Sequence, residues 1–177
     1  MNFVKKICAA SLVLAIVSGC AQNPAEYEEM GPALVVEDFF SGPVTAYGLV
    51  QDSKGQQLRR FTVDIVGTWE GDKGTLHESF VYDDGEEQVR IWELTNLGDG
   101  KYQGVAGDVV GVADGQAIGN ALQWDYVLSI PYKDGTIDVS VDDWMYLIDE
   151  NNMINRSTLK KLGVTVAEVT LYFVKPG

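Results

Sequence analysis

Apolar and polar residues alternate along several stretches of the chain, as they do in β-strands that bury one face. Thr62 and Asp64, for example, separate three apolar residues that would share one side of a strand. The apolar faces defined in this way are Phe61, Val63 and Ile65; Leu122, Trp124, Tyr126, Leu128 and Ile130; Ile137, Val139 and Val141; and Val169, Leu171 and Phe173. The pattern predicts an all-β protein.

Turn signals recur between these runs at short intervals. They contain Gly together with Asp, or a pair of Asn residues, and these residue types adopt the positive φ angles of tight hairpins. The signals fall at residues 52–55, 71–74, 83–85, 98–100, 114–115, 133–135 and 150–152. Their spacing predicts a single antiparallel meander of eight or nine strands.

A meander of this length has two unpaired edge strands unless it closes on itself. Closure into a barrel removes both edges, and about eight strands enclose just enough space for side chains or one small ligand. The consecutive hairpins favour a closed barrel, with a β-sandwich as the alternative. The only helix expected in the barrel domain is a short C-terminal one over residues 157–162, which Gly163 would end.

The first twenty residues differ from the rest of the chain. Lys5 and Lys6 precede an apolar run over residues 7–17, which is about half the ~20 residues that span a bilayer. This composition predicts a signal peptide rather than a transmembrane helix. Val17-Ser18-Gly19-Cys20 resembles the lipobox of bacterial lipoproteins, in which the chain is cut before the cysteine and the thiol receives a diacylglycerol group.

The lipobox resemblance also implies a domain organisation and a location. Residues 1–19 would be removed, residues 20–33 would form a lipidated N-terminus and spacer, and residues 34–177 would form the barrel. Ala21 replaces the Asp that often retains lipoproteins in the inner membrane, so the resemblance favours the periplasmic face of the outer membrane. Acyl chains on Cys20, palmitate among them, would make the membrane contact. An ordinary secreted protein with a chance cysteine is the alternative.

Charge and cysteine content exclude several classes of function. Without residues 1–19 the chain has 11 basic and 26 acidic residues, a net charge of −15, which disfavours nucleic acid and anionic lipid as partners. Cys8 leaves with the signal peptide and Cys20 is assigned to lipid, so the domain has no thiol left for catalysis or metal binding. We expect no cofactor.

No local motif supports catalysis or a metal site. His77 is the only histidine, it points away from its neighbour Glu78 in a strand, and there is no Gly-x-Ser-x-Gly motif. The acidic run at residues 83–87 lacks the alternating ligand spacing of a calcium loop, so we interpret it as an acidic hairpin tip. We therefore predict no catalytic residue and no metal ligand.

One short motif has a counterpart in a known fold. Gly67-Thr68-Trp69 resembles the Gly-x-Trp of lipocalin-type barrels, where the tryptophan plugs one barrel end and packs against an arginine from near the C-terminus. The resemblance implies a calycin- or lipocalin-like barrel with Arg156 as the candidate partner of Trp69. A core tryptophan at a strand end is an equally good interpretation.

Polar residues interrupt several of the otherwise apolar runs. They are Glu78, Arg90, Asp108, Asn120, Asp143, Asn155 and Arg156. Buried charges must be paired or hydrogen-bonded, so these residues predict either internal ion pairs that support the barrel or the polar end of a ligand cavity. In the second case Trp124 and Tyr126 would line the cavity, and Arg90 or Arg156 would receive an anionic head group.

Longer phrases resemble one family along residues 35–175. They include Phe39-Phe40-Ser41-Gly42-Pro43, Gly67-Thr68-Trp69, Glu78-Ser79-Phe80-Val81-Tyr82-Asp83-Asp84-Gly85-Glu86, Arg90-Ile91-Trp92, Tyr102-Gln103-Gly104-Val105-Ala106-Gly107-Asp108-Val109, Asp142-Asp143-Trp144-Met145-Tyr146 and Ile154-Asn155-Arg156. Together these phrases are similar to the proteobacterial lipoproteins grouped as domain of unknown function 3833. The resemblance implies a single lipoprotein domain with a lipocalin-like barrel, and it brings no activity or catalytic residue.

Three functions follow from these observations. The favoured one is a binding module that holds a small hydrophobic or amphipathic molecule, such as a fatty acid, inside the barrel. A structural or interaction protein of the cell envelope, with a filled barrel and unknown protein partners, is the alternative. A hydrolase that uses Glu78 and Asp143 from separate strands has the least support.

Overall fold

The structure of the protein, a computed structural model, describes residues 22–177. The predicted signal peptide and the lipidation site at Cys20 lie outside the described residues. Within them the chain forms one short helix, α1, one turn of 3-10 helix and ten strands. The 3-10 turn spans Pro24–Tyr27 and α1 spans Val36–Phe39. The strands are β1 Gly42–Asp52, β2 Gln57–Glu70, β3 Lys73–Tyr82, β4 Glu87–Gly98, β5 Lys101–Ala106, β6 Ala113–Ile118, β7 Ala121–Tyr132, β8 Gly135–Asp149, β9 Asn152–Lys161 and β10 Val164–Val174.

The ten strands form one closed antiparallel barrel. Each strand pairs with its neighbours in sequence, and β10 returns to pair with β1 from Thr45↔Val174 to Asp52↔Ala167. The predicted closed meander is confirmed, with ten strands rather than eight or nine, and the β-sandwich alternative is excluded. The larger number of strands matters because the diameter of a barrel grows with its number of strands.

The predicted alternation decides which side chains face the lumen. Along β2, Phe61, Val63 and Ile65 are buried while Thr62 and Asp64 are exposed. The apolar faces predicted on β7, β8 and β10 also point inward, where they join the core or line its cavity. The hairpins use positive φ angles as expected, for example at Asp99 (51°) and Gly100 (71°).

Two local predictions are wrong. Residues 157–161 are the second half of β9, not a helix, because pairing with β8 and β10 on both sides overrides the weak helical preference of this segment. Leu162 and Gly163 then make the hairpin turn with φ angles of 50° and 80°.

Asp114-Gly115 lies inside β6 rather than in a turn. Gly115 is needed there for packing, since a Cβ at this position would lie 2.8 Å from the indole of Trp124. The turn comes at Gly119, which has a φ of 53°.

Helix α1 closes one end of the barrel. Val36, Phe39 and Phe40 are buried, and the ring of Phe40 meets that of Phe173 edge to face at a centroid distance of 5.8 Å. The Tyr102 hydroxyl of β5 donates a 2.8 Å hydrogen bond to Glu37, which holds the helix from the side. We call this end of the barrel the closed end; the β2–β3, β4–β5, β6–β7 and β8–β9 turns surround it.

The segment before α1 lies against the outer wall near the closed end. The Tyr27 ring packs on Trp144 and Tyr146 of β8, with centroid distances of 5.5 and 5.7 Å. The Gln22 side chain bonds to the Tyr146 hydroxyl at 2.6 Å, and Leu34 donates its backbone N–H to Gly119. The part of the predicted spacer that the structure describes is therefore held to the barrel at both of its ends.

A substitution at Gly67 tests the contact between α1 and the barrel. A Cβ at Gly67 would lie 1.6 Å from the carbonyl oxygen of Phe40, so Gly67→Ala must push the helix away from β2. We expect a loss of about 2–3 kcal/mol in the free energy of unfolding, measured by urea denaturation. Gly135→Ala is the control, because its Cβ would meet no atom within 4 Å. Equal unfolding midpoints for the two variants would contradict the close contact.

Candidate functional site

The barrel encloses a cavity of about 800 Å³. Val36 and Phe40 line it at the closed end. At the other end the lining reaches the β1–β2, β3–β4 and β7–β8 hairpins, and includes Leu58, whose surface is 58% exposed. The cavity therefore meets solvent at this end, which we call the mouth. The side chains of the barrel do not fill its interior. A structural protein with a filled barrel, the alternative considered above, would require them to do so.

Most of the cavity wall is apolar, and its centre is aromatic. Trp92 of β4 lies 5.7 Å from Tyr126 of β7, edge to face, and 6.3 Å from Trp124, measured between ring centroids. Phe61 and Phe80 pack together nearer the β2–β3 side, at 5.8 Å. Such walls give binding energy to apolar ligands, while a few polar groups set the ligand's orientation.

The polar groups form a cluster across the middle of the lumen. Glu78 on β3 lies opposite Arg90 on β4 in the strand register, and their charged groups are 3.7 Å apart. Arg90 makes a bidentate pair with Asp108, in which Nη2 and Oδ2 are 2.7 Å apart. Asp108 belongs to the β5–β6 loop, which folds onto β7 so that Ser129 donates its N–H to the Asp108 carbonyl.

Asp143 on β8 completes the polar cluster from the opposite wall. Its Oδ1 accepts hydrogen bonds from the Asn155 side chain and from the Ser157 hydroxyl at 3.0 Å, and its Oδ2 accepts one from the Tyr126 hydroxyl at 3.2 Å. The three donors come from β7 and β9, the two strands that flank β8. We call Glu78, Arg90, Asp108, Tyr126, Asp143, Asn155 and Ser157 together the polar cluster.

Burial changes the acid–base properties of this cluster. Loss of hydration raises the pKa of Glu78 to about 7, although the nearby Arg90 opposes the shift. Burial also raises the pKa of Asp143, against the lowering effect of its hydrogen bonds from Asn155, Ser157 and Tyr126. Burial is likewise the main cause that raises the pKa of the Tyr126 hydroxyl well above its ordinary value, so this group stays a hydrogen-bond donor.

Seven of the predicted residues meet in the cavity. The predicted residues that line it are Glu78, Arg90, Asp108, Trp124, Tyr126, Asp143 and Asn155. Six of them occupy inward positions on their strands, and Asp108 reaches the cavity from the β5–β6 loop.

Trp69 and Arg156 do not line the cavity, and the pairing expected between them is absent. Arg156 is on the outer face of β9, with 64% of its side chain exposed, and bonds to Glu168 at 3.3 Å. Trp69 lies at the end of β2 by the closed end, half-buried over Gly74, where a Cβ would lie 2.6 Å from the indole. The correction for Arg156 follows from strand parity, because Asn155 and Ser157 take the inward positions.

Trp92 is a cavity residue that the sequence did not predict. Trp92 faces the lumen between Arg90 and Leu94, but the outer face of β4 carries exposed Val89 and Ile91. Hydrophobicity alone would therefore favour the wrong face of this strand. Period-two spacing from Arg90 to Trp92 to Leu94 is the signal that could have found it.

The acidic hairpin at residues 83–87 is paired with arginines at the rim. Arg59 of β2 contacts Asp84 at 2.8 Å and Glu86 at 3.0 Å, and its guanidinium lies 3.7 Å above the centre of the Tyr82 ring. Arg60 pairs with Asp83 at 3.2 Å. His77 lies exposed on the outer face of β3.

The carboxylates of Asp108 and Asp143 are held by other side chains, since Asp108 is paired with Arg90 and Asp143 accepts three hydrogen bonds. Glu78 faces Arg90 at 3.7 Å. A hydrolase would need one carboxyl free to donate a proton and a second free to attack or to activate water. The arrangement around Asp108 and Asp143 gives that mechanism no support. Over residues 22–177, no three potential metal ligands among His, Cys, Asp and Glu are grouped closely enough to hold a metal ion.

The fold and the cavity together define a lipocalin-like β-barrel with a hollow interior. The chain belongs to the family described as protein of unknown function DUF3833, whose model matches residues 14–175. No curated protein matches the chain. Among solved structures it is similar to the S-type phycobiliprotein lyase CPES from Guillardia theta, with a TM-score of 0.55 and 13% identity over 89% of this chain and 99% of the lyase chain. No helix in residues 22–177 is long and apolar enough to cross a membrane.

The raised pKa of Glu78 predicts a specific pH dependence of stability. Between pH 4.5, the ordinary pKa of the group, and pH 7 the folded protein binds a proton that the unfolded chain has lost, so the free energy of unfolding falls as the pH rises. Glu78→Gln removes this loss. We expect the free energy of unfolding of the variant, relative to that of the wild type, to rise by about 2–3 kcal/mol from pH 5 to pH 8, measured by urea denaturation.

Exposed Glu93 on the outer face of β4 provides the control for this measurement. The difference between Glu93→Gln and wild type should stay constant over the same pH range. If Glu78→Gln becomes less stable than wild type at pH 8, the folded protein stabilises the ionised carboxylate of Glu78, which contradicts the prediction.

Proposed function

We propose that the protein is a binding protein that holds one apolar or amphipathic small molecule inside its barrel. The open cavity of about 800 Å³ carries this proposal. Ligand sites typically occupy ~300–1,000 Å³ and combine an apolar wall with a few fixed polar groups. The aromatic centre and the polar cluster match that description. A structural protein with a filled interior has no need of such a space.

The fold comparison supports a role for the barrel interior without assigning a reaction. The solved relative is named as a phycobiliprotein lyase, so an enzyme also uses this architecture. At 13% identity the likeness concerns the fold, and no residue role is transferred from it. We propose binding rather than catalysis, because the carboxylates of Asp108 and Asp143 are occupied by Arg90 and by hydrogen-bond donors.

We also propose that the protein is anchored through acyl chains on Cys20, at the periplasmic face of the outer membrane. The support is the sequence Val17-Ser18-Gly19-Cys20 after a basic and apolar segment, with Ala21 following. Two or more acyl chains hold a protein firmly on a membrane, whereas one gives only marginal binding. The acidic surface would not attract anionic lipid, so the acyl chains would supply the attachment.

Ligand binding is tested with the mature chain, residues 20–177, carrying Cys20→Ser. We expect it to retain small molecules seen by native mass spectrometry, and to enhance the fluorescence of the neutral probe N-phenyl-1-naphthylamine. Val169→Trp should abolish both signals, because Val169 is half-buried and faces the cavity. Thr62→Trp places the same ring on the exposed outer face of β2 and should leave both signals unchanged.

A native mass spectrum with no co-purifying molecule, together with no change in probe fluorescence, would remove the basis for a binding function. Probe binding that Val169→Trp and Thr62→Trp affect equally would place the site outside the barrel.

The anchor is tested in cells that produce the full chain. We expect Cys20→Ser to move the protein from the membrane fraction to the soluble fraction, and to prevent labelling by a palmitate analogue. Cys8→Ser is the matched control and should change neither result, because this cysteine lies within the signal peptide. Membrane attachment that persists in Cys20→Ser contradicts the proposal.

A further inference from the structure

The cavity wall has more acidic than basic residues. Among the described residues that line it, Glu78, Glu86, Asp108 and Asp143 are acidic, whereas Arg59 and Arg90 are the basic ones. The whole chain has the same sign, with a net charge of −13. Both the local and the long-range field therefore favour a positively charged ligand over a negatively charged one.

Arg90, the one cation of the polar cluster, is not available to an anionic ligand. Its Nε and Nη2 donate to the two oxygens of Asp108, and its Nη1 faces Glu78 at 3.7 Å. The guanidinium also lies 5.1 Å above the centre of the Phe80 ring. A carboxylate or phosphate group would have to displace Asp108 and approach two further carboxyls, which like-charge repulsion opposes. The fatty-acid head group expected at Arg90 therefore does not fit.

Glu78 has unused capacity to accept hydrogen bonds. Apart from the 3.7 Å ion pair with Arg90, its carboxyl takes part in no hydrogen bond among residues 22–177, and only 13% of its side chain is exposed. Glu78 borders the open cavity, and a carboxylate can accept about four hydrogen bonds. An N–H group of a ligand would therefore find an acceptor there.

The aromatic wall next to Glu78 offers a second kind of contact for a cation. Trp92, Trp124 and Tyr126 cluster beside the polar groups, and their faces carry partial negative charge. Ammonium groups bind to such faces, best to tryptophan. A ligand with an ammonium at the level of Glu78 would place its apolar part along the remaining wall.

We infer that the ligand is an organic cation, an apolar molecule bearing a protonated amine that pairs with Glu78. This inference rests on the proposed binding function and specifies its ligand class. The three observations behind it are the excess of acidic residues in the lining, the engagement of Arg90 by Asp108, and the free hydrogen-bonding capacity of the Glu78 carboxyl beside aromatic rings.

The test is displacement of N-phenyl-1-naphthylamine from the mature Cys20→Ser chain by three ten-carbon ligands, decylamine, decanol and decanoate. At pH 8 decylamine is protonated, and the carboxyl of Glu78, with its pKa of about 7, is ionised. We expect decylamine to displace the probe at a concentration at least about tenfold lower than decanol, since a hydrogen bond to a charged group is worth about 1.5–3 kcal/mol. Decanoate should be the weakest of the three.

Two variants assign the preference to its residue. Glu78→Gln should reduce the affinity for decylamine about tenfold more than it changes the affinity for decanol. Glu93→Gln removes one charge from the exposed outer face of β4 and should change neither affinity.

The possible outcomes distinguish a failure of this inference from a failure of the proposed binding function. Displacement by decanoate at concentrations equal to or lower than those of decylamine overturns the cationic ligand class while leaving the binding function standing. A preference for decylamine that survives Glu78→Gln overturns the pairing with Glu78. If the probe and all three ligands fail to bind, the proposed binding function fails, and the inference fails with it.

Discussion

The pairing of β1 with β10 is the constraint on which the rest of the structure depends. It joins the two ends of the meander from Thr45↔Val174 to Asp52↔Ala167, so that no strand has a free edge. Once the ring is closed with ten strands, the width of the lumen follows from the strand number. The inward side chains are then too few to fill it, and a cavity remains. The hollow interior is therefore a property of the whole ring rather than of any one element.

The polar cluster shows how a wide barrel accommodates charge in its centre. An isolated buried carboxylate would be strongly destabilising, and Asp143 avoids this through donors on both neighbouring strands. The strand register places only Glu78 opposite Arg90. Asp108 reaches the same guanidinium from the β5–β6 loop, so two carboxyls face one arginine. Glu78 is less completely satisfied, and its raised pKa records the cost of its burial. Binding sites commonly retain groups of this kind, whose partner arrives with the ligand.

The sequence predicted the closed meander because alternation in β2, β7 and β8 was clear and turn residues separated the runs. The same logic found Glu78, Arg90 and Asp143, since each polar side chain interrupts an apolar face. Parity could not be predicted for β9, where the inward positions include Asn155 and Ser157 and the outward ones include Ile154. Hydrophobicity there does not distinguish the two faces, so it could not correct the placement of Arg156 beside Trp69 that the lipocalin resemblance implied. Whether the barrel is hollow also could not be predicted, because it depends on volumes summed around all ten strands.

The contact between Gln22 and Tyr146 has a consequence for the orientation of the barrel on a bilayer. Gln22 is two residues from Cys20, a distance that an extended chain covers in at most about 7 Å. Tyr146 lies near the end of β8 that adjoins the β8–β9 turn, at the closed end. If Cys20 carries acyl chains, as we propose, the closed end would lie near the lipid headgroups and the mouth would open away from them. A ligand would then enter from the aqueous side, carried to the mouth by diffusion rather than drawn out of the membrane beneath it.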